Sequence, residues 1–203
     1  MYAKICGICL TNDALFSAEK GAWALGFDFY KQSPRYIVED EAKKIILQLK
    51  GAALKVGIFL NTDSKTIVRT MEDLGLDFAQ VYEDIDAPGT LKARMIYALQ
   101  GSREAEIPPQ RILDQYGYLL FTGPKEHVAK EAGRLSNWGL AAKLARDYKL
   151  ILSGGLTPTN VTAAIDWVAP FAVDVVGGVE KTTRVKEPAF IDDFLKACTR
   201  RRL

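Results

Sequence analysis

Eight apolar runs recur along this chain, at 3–6, 22–29, 54–59, 78–82, 94–99, 117–121, 150–153 and 171–175. Runs such as Leu150-Ile151-Leu152 are apolar on both faces, as strands of a parallel sheet covered by helices must be. Amphipathic segments at 11–19, 38–49, 63–74, 108–115, 138–148, 158–167 and 188–199 read as helices between them. Thr11 is expected to cap the first helix and Gly21 to close it, while Gly75 ends the third. The stretch after the fourth run contains Pro88 and Gly89, which leaves room for about one or two helical turns, so the fourth helix is expected to be short. Strict alternation of this kind implies a parallel sheet with helices outside it, and eight units favour closure over an open doubly wound sheet. The expectation is an α/β fold: one (βα)8 TIM barrel spanning 1–203 with a shortened fourth helix.

Composition narrows the chemistry. The 203 residues are 48% apolar and 26% charged, enough for a substantial core. A net charge of +2 is too small to argue for nucleic acid, and Arg200-Arg201-Arg202 reads as a solvated tail. No apolar run reaches membrane-spanning length and Met1-Tyr2-Ala3-Lys4 does not open a signal peptide, so a cytoplasmic protein with no membrane partner is expected. Cys6, Cys9 and Cys198 form no disulfide framework and no zinc spacing. His127 is the single histidine, which argues against a histidine metal site or a Ser-His-Asp triad, and no metal is expected.

The last two apolar runs both end in paired glycines, Gly154-Gly155 and Gly177-Gly178. Bare backbone amides at neighbouring strand ends form a phosphate cradle, and Thr157-Pro158-Thr159-Asn160 reads as a cap with a first-turn proline opening a helix beside the first pair. The alternative is two ordinary turns that need glycine.

Several stretches occurring in order carry a family likeness: Lys4-Ile5-Cys6-Gly7-Ile8, Gly26-Phe27, Ser33-Pro34-Arg35-Tyr36, Val56-Gly57-Ile58-Phe59, Ser153-Gly154-Gly155-Leu156 and Pro170-Phe171-Ala172-Val173-Asp174-Val175. Together the chain resembles the phosphoribosylanthranilate isomerase family of tryptophan biosynthesis, less closely over the middle third. The resemblance implies an Amadori rearrangement: a ribosylamine ring opens, the imine becomes an enolamine, and a ketose results. The reaction needs a general acid at the ring oxygen and a general base at the sugar C2, and no cofactor. Cys6 falls on the family's general base, which requires a depressed thiol pKa. Lys4, two residues earlier on the same strand face, is placed to supply positive charge there and is assigned to substrate binding with Thr122. The other reading of Cys6 is a buried structural thiol; Cys9 is read as a loop thiol. Arg35 falls on the family's carboxylate-binding arginine, and the four glycines on its phosphate-binding turns. The family's serine pair before the last glycine is Val176-Gly177 here, which removes its hydroxyl contacts. The implied partner is a phosphorylated small molecule, with a monomer or homodimer expected.

The chain departs from the family at its acid, an aspartate in a pattern like Leu-Phe-Asp-Thr on strand six. Here the stretch is Leu119-Leu120-Phe121-Thr122-Gly123, which puts Thr122 at that position, or Phe121 after a shift of one. Neither is a usable acid at neutral pH. The family's strand-four histidine is Tyr82, and only Gly133 and the basic Arg134 resemble its glycine-rich loop after strand six. Asp28, interrupting the apolar second strand, is the replacement acid in one reading and the ion-pair partner of Lys4 in the other. Glu126, His127 and Glu131 are further acid candidates. Two function classes therefore stand: an isomerase with a relocated acid, acting on phosphoribosylanthranilate or another aminated phosphosugar, and a catalytically impaired relative that binds a phosphorylated ligand or regulates a partner.

Overall fold

The computed structural model describes residues 1–100, 107–123 and 137–199. Glu126, His127, Glu131, Gly133, Arg134 and the tail arginines Arg200 to Arg202 lie outside the described residues.

Eight parallel strands close into a barrel in chain order. They are β1 (Tyr2–Ile5), β2 (Ala24–Asp28), β3 (Leu54–Phe59), β4 (Phe78–Val81), β5 (Met95–Gln100), β6 (Tyr118–Thr122), β7 (Leu150–Leu152) and β8 (Ala172–Val175). The helices between and after them are α1 (Thr11–Glu19), α2 (Glu39–Leu49), α3 (Ser64–Leu74), α4 (Gly89–Lys92), α5 (Gln110–Leu113), α6 (Trp138–Asp147), α7 (Val161–Val168) and α8 (Pro188–Thr199). The TIM barrel anticipated from the alternation is present, and α4 is a single turn.

Strand alternation divides the core in two. Ala24, Val56, Ile96, Leu120, Ile151 and Ala172 fill the barrel interior. Their neighbours, among them Leu25, Leu119, Phe121, Leu152 and Val173, face outward against the helices. Tyr2, Trp23, Phe78, Tyr118 and Phe171 sit at or just before the first residues of their strands and pack ring against ring, with centroids 5.1 Å apart for Tyr2–Phe171 and 5.9 Å for Trp23–Tyr118. This aromatic plug closes the N-terminal end and leaves the C-terminal ends of the strands as the open mouth.

Capping explains the boundaries. Asp63 accepts from the Thr66 amide to start α3, and Gly75 ends it at φ 63°. Two expected caps fail. Thr11 is the first residue of α1, which follows Leu10 with no side-chain cap. Thr157 does not open α7; the helix starts at Val161 because Asn160 folds back, its Oδ1 accepting from the Thr157 amide at 2.8 Å and its Nδ2 donating to the Gly155 carbonyl at 2.9 Å. The turn is thereby tied to the strand end before the helix begins.

Between β8 and α8 lies a feature with no helical or long apolar signal in sequence. A 3-10 turn over Gly177–Val179 leads into an antiparallel hairpin of β9 (Glu180–Thr182) and β10 (Val185–Lys186). Arg184, at the hairpin tip, donates from Nη1 to the Tyr36 carbonyl at 2.7 Å, tying the hairpin to the loop after β2.

Closure of the barrel brings β8 against β1 with Asp174 beside Lys4. Lys4 Nζ lies 2.7 Å from Asp174 Oδ1, with the lysine side chain 0% exposed. Removing one partner leaves the other charge buried alone, so Asp174→Ala should lower the unfolding free energy by about 3–5 kcal/mol in urea denaturation. The double variant Lys4→Met, Asp174→Leu should recover most of that loss. If Asp174→Ala alone were neutral, the pair would not be buried in solution.

Candidate active site

A cavity of about 730 Å³ opens at the C-terminal mouth. Cys6, Asp28, Arg35, Thr122 and all four glycines of the two turns line it. The structure thus brings these candidates together on one cavity, while Lys4 is absent from its wall and the candidates Glu126, His127 and Glu131 lie outside the described residues.

Lys4 is fully buried and does not reach the cavity wall. Its assignment to substrate binding is corrected, because the strand register commits its ammonium to Asp174. The same bond overturns the Lys4–Asp28 pairing. Asp174 also accepts from Ser153 Oγ at 2.8 Å through Oδ2, so one carboxylate holds β1 and the end of β7 together. Asp174 was not singled out in the sequence, although it interrupts an apolar strand just as Asp28 does.

Cys6 sits immediately above this pair, one residue past β1, with its amide donating to the Val175 carbonyl at 2.9 Å. The neighbouring Gly26 makes room for the thiol: a Cβ there would lie 2.6 Å from Sγ and 3.1 Å from Ile58 Cδ1. Burial pushes the Cys6 pKa up, Lys4 pulls it down and Asp174 pushes it up again, with a net rise. The resting group is therefore a thiol at neutral pH, which corrects the expected depression. Burial would also lower the Lys4 pKa, but the charge of Asp174, helped by Cys6, outweighs it and keeps Lys4 an ammonium well above its usual range.

Asp28 ends β2 with its carboxylate on the cavity wall. Oδ1 accepts from the Tyr30 amide at 3.0 Å, and Oδ2 has no partner among the described residues. Opposite, strand alternation decides which side chains of β6 reach the cavity. Phe121 is 0% exposed and packs outward with Leu119 under the helices, away from the cavity. Thr122 faces the cavity and presents a hydroxyl to it. Tyr82 lines the same side, its hydroxyl accepting from Gln80 Nε2 at 3.0 Å. Burial holds the Tyr82 phenol well above its usual range, so it stays protonated.

Arg35 reaches the cavity from the loop after β2 and is gripped by Glu180. Nε donates to Oε1 at 2.8 Å and Nη2 to Oε2 at 2.6 Å. Lys186 Nζ, with its side chain 0% exposed, donates to Glu180 Oε1 at 3.3 Å and to the Val176 carbonyl at 3.0 Å. Burial raises the Glu180 pKa, but the Arg35 bond, Lys186 and the Arg184 amide more than reverse this, so it is an anion. The Arg35 pKa rises, chiefly through its bond to Glu180. Burial lowers the Lys186 pKa more than Glu180 restores it. Glu180 and Lys186 had no sequence signal, since both lie on a short hairpin whose partners are remote in the chain.

The two glycine turns meet on one wall. Gly154 and Gly155 adopt φ 93° and 66°, open to glycine at no steric cost. A side chain at Gly178 would collide with the Leu156 carbonyl, which shows how closely the β8 turn nests on the β7 turn. Among the described residues no group of three His, Cys, Asp or Glu side chains is placed to hold a metal ion.

Comparison with known proteins places this architecture. The family profile "N-(5'phosphoribosyl)anthranilate (PRA) isomerase" matches residues 3–197. An N-(5'-phosphoribosyl)anthranilate isomerase of Syntrophus aciditrophicus is 35% identical over 205 residues, covering 97% of this chain and 86% of the relative. The crystal structure of phosphoribosyl anthranilate isomerase from Thermotoga maritima superposes with a TM-score of 0.84 at 34% identity, covering 97% of this chain and 98% of that one. A crystal structure of such an isomerase in complex with reduced 1-(o-carboxyphenylamino)-1-deoxyribulose 5-phosphate gives 0.80 at 33% identity, covering 97% of each chain.

The thiol electrostatics are directly measurable. In a Cys9→Ser background, alkylation of Cys6 by iodoacetamide should still be accelerating as pH passes 9.0, the ordinary thiol value, because the folded pKa lies above it. Lys4→Met should move the rise to higher pH still. A rate already on its plateau at neutral pH would contradict the raised pKa.

Proposed function

The chain belongs to the N-(5'-phosphoribosyl)anthranilate isomerase family, and on that premise we propose that its cavity performs the Amadori rearrangement of phosphoribosylanthranilate with Cys6 as general base and Asp28 as general acid. The observation that carries this reading is the convergence of Cys6, Arg35 and both glycine turns on one cavity.

The substrate's phosphate lies on the backbone amides of Gly154, Gly155, Gly177 and Gly178, where a negative charge meets N–H dipoles. Its carboxylate meets Arg35. A guanidinium has five N–H donors, and Glu180 takes one from Nε and one from Nη2, so three remain on the Nη1/Nη2 end. With both ends of the substrate held, the ribosylamine lies across the mouth between Cys6 and the remaining polar wall.

In the chemical step a carboxylic acid donates its proton to the ring oxygen as the nitrogen lone pair forms C1=N and the C1–O bond breaks, giving the open, protonated imine. The thiolate of Cys6 then removes the proton from C2, and those electrons form the C1–C2 double bond of the enolamine. Ketonisation then moves a proton from the Cys6 thiol to C1 while the C2 hydroxyl gives its proton to the carboxylate left by the first step, which restores both groups and yields the 1-amino-1-deoxyribulose phosphate. Lys4, held as an ammonium beneath the thiol, stabilises the thiolate during proton abstraction. Of the carboxylates on the cavity wall among the described residues, Asp174 is committed to Lys4 and Ser153, which leaves Asp28 with a free oxygen. Thr122 contributes a hydrogen-bonding hydroxyl and no acid.

Turnover followed by loss of phosphoribosylanthranilate fluorescence tests the roles. Cys6→Ala should reduce kcat by about two to four orders of magnitude while the protein still binds a product analogue. Asp28→Asn should abolish turnover with little change in Tm; turnover unchanged in that variant would remove Asp28 from the mechanism. Thr122→Asp, which returns a carboxyl to the cavity face of β6, should raise turnover about tenfold or more where an acid limits the rate. Phe121→Asp, one residue away but facing the outer core, should instead unfold the protein at lower denaturant.

A further inference from the structure

We infer that Glu180 is the positioning residue for ligand recognition at this site: it fixes the Arg35 guanidinium so that only its Nη1/Nη2 end is offered to the carboxylate of a phosphorylated, carboxylated ligand. The inference rests on the reading of Arg35 as the carboxylate binder.

The geometry separates a built clamp from a surface ion pair. Glu180 is held by four donors, Arg35 Nε, Arg35 Nη2, Lys186 Nζ and the Arg184 amide at 3.3 Å, and its side chain is 6% exposed. An incoming carboxylate does not displace a carboxylate held in this way; it takes the open end of the fork. The bidentate grip also sets the guanidinium plane, since two parallel bonds fix a rotation that one bond leaves free. Arg184 reaches in the opposite direction, from the hairpin to the Tyr36 carbonyl, so the loop bearing Arg35 and the hairpin bearing Glu180 clasp each other. Lys186 completes the assembly by joining Glu180 to the Val176 carbonyl, the residue before Gly177-Gly178. The carboxylate end and the phosphate end of the site are thereby held at a set distance by one buried network. Three residues of the hairpin region, distant from Arg35 in sequence, become part of ligand selection.

Binding of two inert ligands to the full chain by isothermal titration tests this. One is reduced 1-(o-carboxyphenylamino)-1-deoxyribulose 5-phosphate; the other is its phenylamino counterpart, which lacks only the carboxyl. The wild type should bind the first more tightly. Glu180→Gln should weaken the carboxylated ligand about tenfold or more and leave the counterpart within about twofold, as loss of a charge-assisted bond to a binding group predicts. Glu180→Asp, charged but too short to span Nε and Nη2, should show the same selective loss, smaller in size. Equal loss of both ligands in these variants, or failure of both to fold, would make Glu180 a structural residue and overturn the inference. Tighter binding of the carboxylated ligand by Glu180→Gln would overturn it as well, by identifying Glu180 as a competitor. A wild type that does not distinguish the two ligands would instead reject the Arg35 reading, and the role of Glu180 with it.

Discussion

A lysine ammonium with no exposed surface inside a barrel is tolerable only if its charge is answered on the spot, and the Lys4–Asp174 contact at 2.7 Å answers it. Closure sets the two residues side by side, because β8 pairs with β1 in the register that puts Asp174 next to Lys4. Ser153 follows from the next register, with Leu152 beside Val173, and supplies a second bond to the same carboxylate. Three strands are thus joined by polar contacts at the level where the apolar interior ends. The site is built on top of this layer. Cys6 stands directly above it, and the charge that most favours its thiolate is Lys4.

A second charged layer lies nearer the mouth, made of Arg35, Glu180 and Lys186. The two layers differ in what they leave available. In the lower one the Lys4 and Asp174 charges are matched within the protein, and Lys4 acts on Cys6 by its charge and a side-chain hydrogen bond. In the upper one Glu180 matches part of the Arg35 fork and leaves the rest for a ligand. Phosphate recognition needs no such arrangement, since the paired glycine turns offer backbone dipoles.

The acid position illustrates how strand period governs chemistry. On β6 a one-residue difference decides whether a side chain reaches the cavity or the shell under the helices. Thr122 is on the cavity side and Phe121 is not, so β6 presents a hydroxyl and no carboxyl to the cavity. Asp28, on the neighbouring side of Cys6, is the carboxylate left with an uncommitted oxygen.

Much of this was legible in the chain itself. Eight apolar runs alternating with helical segments imply the barrel, since each strand buried on both faces demands helices outside it, and Pro88-Gly89 leaves room for only the single turn of α4. Cys6, Asp28, Arg35 and the glycine pairs stood out as candidates because strand ends and glycine turns are local patterns, and they line one cavity. What the linear order did not disclose are the partners. Lys4 and Asp174 are 170 residues apart, and Arg35 and Glu180 are 145 apart. Asp28 and Asp174 look alike in sequence, each an acid interrupting an apolar strand, and only the closure register assigns one to Lys4 and leaves the other with an uncommitted oxygen. Local pattern determines which element a residue joins; which charge it meets depends on how distant strands align, and that alignment exists only in the closed barrel.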